Sequence, residues 1–130
     1  MRPRRPIAIL TALVTAGVAA AAPASAQSAQ RITANPQSVN RTATQTVHGF
    51  GFPVIEFCSR TVHVSVRSAQ NAAPVAQRHV RDNGRFTFRW VPQNRNVGAG
   101  TWRLVARVRC ESGKDGSTFF VRASRRITVL

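Results

Sequence analysis

The chain has 130 residues, with 19 lysines and arginines against 4 acids and a formal net charge of +15. That length holds one domain with a modest core. Four carboxylates leave little room for chemistry that needs paired acids, such as glycoside hydrolysis, and a charge this positive points toward anionic partners.

In chain order, Met1–Pro6 carries Arg2, Arg4 and Arg5 and no acid, Ile7–Ala22 is uncharged, and Pro23 leads into Ala24-Ser25-Ala26. This is the layout of a secretory signal: a basic start, an apolar middle and a small-x-small cleavage site. Cleavage is expected after Ala26. The uncharged run is alanine-rich and shorter than the roughly 20 apolar residues of a spanning helix, and no other long apolar run follows. The mature chain, 27–130, is therefore expected to be secreted, with no stable membrane insertion. Removing residues 1–26 leaves 104 residues and takes three arginines away, so 16 bases face 4 acids and the net charge is +12. Lys114 is the single lysine among those bases. GC-rich coding would favour arginine over lysine, but it does not account for the shortage of acids. Two cysteines in an exported chain read as one disulfide, Cys58–Cys110, rather than a metal site. Closing a loop of about 50 residues stabilises by roughly 4 kcal/mol in the chain-entropy picture.

No stretch of the mature chain keeps a helical period, and the alanine-rich 69–77 is broken by Pro74. The dominant period is that of strands. Weak strand signals lie at 31–34, 42–49 and 75–81. Thr61–Arg67 alternates with Val62, Val64 and Val66 on one face; Arg85–Trp90 does so with Phe86, Phe88 and Trp90. Along 102–110, Trp102, Leu104, Ala106, Val108 and Cys110 share a face. Along 120–130, Val121, Ala123, Ile127 and Val129 do; Arg125 would face inward with them if the alternation were strict, and a bulge there is the simplest explanation. Asp82-Asn83-Gly84 and Ser112–Gly116 are turn signals, and Pro92–Gly100 is a polar connection. About seven strands in about 100 residues is the count of a single antiparallel immunoglobulin-like β-sandwich.

Three segments, Val47-His48-Gly49-Phe50-Gly51-Phe52-Pro53, Asp82-Asn83-Gly84-Arg85-Phe86 and Gly100-Thr101-Trp102, give the chain a pattern that resembles secreted bacterial immunoglobulin-like domains. The resemblance implies a sandwich in an extracellular setting and no particular activity. A narrower similarity is to the neocarzinostatin-like sandwiches, which hold an apolar chromophore. This chain departs from them in having one cysteine pair rather than two and in being basic.

If the third, sixth and seventh strands share a sheet, as in such sandwiches, Arg67, Arg103, Arg107, Arg109, Arg122 and Arg126 face outward together. That basic face is the leading candidate site. Its partner would be an anionic polymer such as cell wall, polysaccharide or nucleic acid, because the planar guanidinium can bond two oxygens of a phosphate or carboxylate at once. The competing reading is a merely solvated sheet face. Phe50, Phe52 and Pro53 either cap the core or form one wall of an apolar cleft at the disulfide end, where a small-molecule carrier would hold its ligand. A third reading is a protein-interaction or inhibitor domain acting through its loops. His48, His63 and His79 show no metal spacing, no catalytic motif is found, and no cofactor is expected.

Overall fold

The computed structural model describes residues 30–130. The expected export signal, residues 1–26, lies outside the described residues. The described chain is all-β, with eight strands: β1 Arg31–Asn35, β2 Ser38–Val39, β3 Gln45–Phe50, β4 Cys58–Arg67, β5 Ala72–His79, β6 Phe86–Trp90, β7 Gly100–Glu111 and β8 Thr118–Val129. They form two sheets, β1-β3-β6 and β2-β8-β7-β4-β5. A short 3₁₀ turn at Pro92–Arg95 joins the two.

Period-two alternation decides which side of each strand is buried. The small sheet supplies Val47, Phe86, Phe88 and Trp90 to the core; the large one supplies Val62, Val64, Val66, Leu104, Ala106, Val108 and Ile127. Bulky rings come from one layer, while the other carries a row of small residues, Val64–Ala106–Ala123. Such alternation of large and small side chains lets facing layers interdigitate. The disulfide Cys58–Cys110 joins register partners on β4 and β7, with Cα atoms 4.0 Å apart, so it staples one sheet internally.

The count exceeds the expected seven because the first strand is split. Proline has no N–H with which to continue a ladder, and at Pro36 the chain leaves the small sheet. It then pairs in parallel with β8 through Ser38↔Thr128 and Val39↔Val129. Gln45, fully buried, clamps this crossing: its Nε2 donates to the Pro36 carbonyl at 2.7 Å, and its Oε1 accepts from Trp90 Nε1 at 2.8 Å. Gln45→Leu removes both partners' bonds at nearly constant volume. Stranding buried polar groups costs about 1–3 kcal/mol each, so the urea midpoint should fall by the equivalent of about 2–4 kcal/mol. An unchanged midpoint would mean that water satisfies both groups.

The bulge expected at Arg125 is absent. The β7–β8 register is unbroken from Gly100↔Val129 to Glu111↔Thr118, with Arg125 opposite the inward Leu104. Arg125 is nonetheless exposed and donates to Gln37 Oε1 at 3.4 Å. A three-stranded layer does not cover all of a five-stranded one, so an inward arginine near the edge still reaches water. The irregularities lie in β4 instead, between Cys58 and Val62 and between Val64 and Ser65. Ser65 faces Pro74 of β5, an edge strand, where proline is tolerated.

β8 is nearly an edge itself, because β2 covers only its last residues. Along the remainder, Gln30 Nε2 donates to the Arg122 carbonyl at 3.3 Å and Gln37 Nε2 to the Arg126 carbonyl at 3.0 Å.

Candidate functional site

The outward positions of β4, β7 and β8 fall into rows because the three strands are neighbours in fixed register. One row is Arg67–Arg103–Arg126, and a second is His63–Arg107–Arg122. Between them runs Ser65–Val105–Ser124, which Pro74 continues onto β5. The two outer rows are four residues apart along each strand, about 13 Å, and neighbours within a row are about 4.8 Å apart. The outcome is a trough across four strands, with a floor of small side chains and guanidinium groups on both banks.

The side chains use this space in different ways. Arg103 lies over the floor, its Nη1 donating to Ser124 Oγ at 3.2 Å. Arg107 and Arg122 lean onto Phe120, with guanidinium carbons 4.9 and 5.7 Å from the ring centroid. Cation–π contact holds such groups without neutralising them. Arg109 stands outside the trough. It pairs across the sheet with Phe120, and its Nη2 donates to Thr118 Oγ1 at 3.5 Å, two residues from the outward Glu111. Five of the six expected arginines therefore flank one trough and the sixth sits beside an acid.

At the β5 end the trough opens into a groove of about 470 Å³, whose lining includes His63, Ser65, Arg67, Arg95 and Arg107 and no acid. Arg95 is an addition that sequence reasoning missed. It comes from the 3₁₀ turn, which packs near β5 and ends at Asn96 in the left-handed conformation with φ 58°. Among the described residues the one ion pair is Arg60–Asp82 at 3.0 Å, so no carboxylate quenches the trough. Unopposed cations on one face produce a field that attracts anions and speeds their arrival.

Of the two readings of Phe50, Phe52 and Pro53, a cap on the core or one wall of a cleft, Phe52 fits the cap. Phe52 is 2 % exposed and packs edge-on against Phe86 at 5.2 Å, and its N–H donates to the Gly84 carbonyl at 3.1 Å. The Asp82–Gly84 turn thus presses it into the core. Phe50 points the other way, onto the outer side of the small sheet. Five open cavities of about 290–470 Å³ stand out, and none is lined by Phe50, Phe52 or Pro53. The one beside the disulfide is lined by Glu56, Phe57, Cys58, Ser59, Arg109 and Glu111, a polar rim rather than an apolar wall.

No group of three or more His, Cys, Asp and Glu side chains among the described residues could hold a metal ion. His48 Nδ1 lies 3.0 Å from Thr87 Oγ1. The Asp115 carboxyl is held below its ordinary range by the Ser117 backbone N–H and then by side-chain bonds from Ser117 and Ser112, in an exposed turn. No described helix is long and apolar enough to cross a membrane. Comparison with known proteins finds no matching family model and no matching curated protein.

Proposed function

We propose that the protein is a secreted, non-enzymatic binding module, an immunoglobulin-like sandwich whose five-stranded outer face holds a single anionic polymer chain. The observation that carries this reading is the trough: arginine rows on both banks of a floor built from Ser65, Val105 and Ser124. A sheet face that was merely solvated would have no reason to put small residues between two lines of cations. The alignment of the Cys58, Gly100 and Thr118 strands in one sheet, apart from the β1-β3-β6 layer, supports the immunoglobulin-like assignment.

The dimensions choose among polyanions. A trough about 13 Å between banks receives one flexible chain, such as an acidic polysaccharide or a phosphate-bearing cell-wall polymer, lying across the strands. A rigid duplex is too wide to reach its floor. Guanidinium groups from either bank then bracket successive phosphate, sulfate or carboxylate groups.

The test is heparin binding across a salt series. Arg103→Ser/Arg107→Ser/Arg122→Ser is compared with the equal charge change Arg41→Ser/Arg78→Ser/Arg81→Ser elsewhere on the surface. At about 0.5–1 kcal/mol per exposed contact, the trough variant should lose about tenfold to a hundredfold in affinity and much of the salt dependence. The control should lose far less. Equal losses would mean that the charge acts diffusely, and tighter binding of duplex DNA than of single chains would overturn the trough geometry.

A further inference from the structure

The small sheet also has an outer face, and it too is basic. Its outward positions on β1, β3 and β6 include Arg31, His48, Phe50 and Arg89 and no acid. At its centre is an arrangement that repeats the one on the far side. Arg31 is the register partner of Phe50, with its guanidinium carbon 4.6 Å from the ring centroid. Arg85 approaches the same ring to 5.2 Å. Phe120 on the opposite face carries Arg107 and Arg122 in the same way. Both Arg31 and Arg85 are exposed, and neither has an ion-pair partner among the described residues.

Two like charges gathered on one ring repel each other, and an anion set between them relieves that repulsion. The ring meanwhile keeps both guanidinium planes in place, which lowers the ordering cost of binding. The two layers lie back to back about 10 Å apart, so the Phe50 and Phe120 clusters look in opposite directions.

We infer that the Arg31–Phe50–Arg85 cluster is a second polyanion site, so that one molecule grips two separate anionic chains and bridges them. This rests on the proposed binding of one chain in the trough. Bivalency of this kind raises apparent affinity for a chain network far above that of either site alone. The partner is accordingly a mesh of chains rather than an isolated strand.

The experiment uses the protein with its disulfide formed and a heparin octasaccharide, too short to reach round both faces. Calorimetric titration should give two octasaccharides per protein, and long-chain heparin should produce strong light scattering near charge balance. Arg31→Ser/Arg85→Ser, at exposed positions that leave the core untouched, should bind one octasaccharide and lose the scattering. Trough affinity in that variant should stay within about twofold of the original. The trough triple variant should also bind one. A wild-type stoichiometry of one that the trough triple variant abolishes, or of two that survives in Arg31→Ser/Arg85→Ser, overturns the bridge while leaving the trough reading intact. A stoichiometry of one that the trough triple variant retains overturns both. No octasaccharide binding at all overturns both.

Discussion

Replacing Cys58 and Cys110 together by alanine should lower stability by about 4 kcal/mol, the largest effect expected of any change described. The bond closes a sequence separation of 52 residues, more than a third of the chain. In the chain-entropy picture a loop of that size lies between about 3 kcal/mol for short loops and about 5 for very long ones. Both sulfurs are also buried, with Cys58 7 % and Cys110 1 % exposed, so lost packing adds to the loss. A small domain has only about 5–15 kcal/mol in total, and the melting temperature should drop on the order of 20 °C. Calorimetry of the double variant, or of the wild type in a strong reductant, checks this. A loss below about 1 kcal/mol would mean that the unfolded chain is already constrained by other means.

Gly49→Ala should cost about 3 kcal/mol or more, although it adds a single methyl group. A Cβ built there falls 1.9 Å from Phe86 Cε2 and 2.4 Å from both Cδ2 and Cζ. Phe86 is the direct cross-strand partner of Gly49 and lies flat over it. The ring has nowhere to go, with Phe52 edge-on at 5.2 Å and Phe88 stacked at 6.3 Å. Aromatic cover of a strand glycine stabilises an otherwise weak position, and here it fixes the register of β3 against β6. Gly98→Ala, with nothing within 4 Å of the added Cβ, should change stability by less than about 0.5 kcal/mol. If steric conflict with Phe86 is the cause, Phe86→Leu should recover part of the Gly49→Ala loss in a double-mutant cycle. Strict additivity would remove that explanation.

The strands that hold the trough were legible because their alternation is clean. Three valines in Thr61–Arg67 and the Trp102–Cys110 series fix which side goes in, and the arginines then go out by parity alone. The trough itself was not legible. Ser65, Val105 and Ser124 become one floor only through long-range register, which no local period carries. Arg95 was hidden for a related reason: it belongs to a non-repetitive turn, and only the path of the chain after β6 brings it beside β5. Pairing over two residues, as in β2, is too short to leave a periodic trace. At Gly49–Pro53 alternating glycines erased the pattern, so nothing local could assign one phenylalanine to the core and the other to the surface. Arg125 misled because breaking the alternation and leaving the inner face uncovered look alike in sequence.

The two glutamines along β8 give the amino-terminal end a protective role. An open strand edge rich in hydrogen-bonding groups invites a neighbouring molecule to add a strand, and Phe119 and Phe120 are 44 % and 40 % exposed on that same strand. The amides of Gln30 and Gln37 occupy the Arg122 and Arg126 carbonyls that such a neighbour would need. Without Gln30 the Arg122 carbonyl would lie open and Gln37 alone would guard that edge, so a strand from a second molecule could begin pairing there.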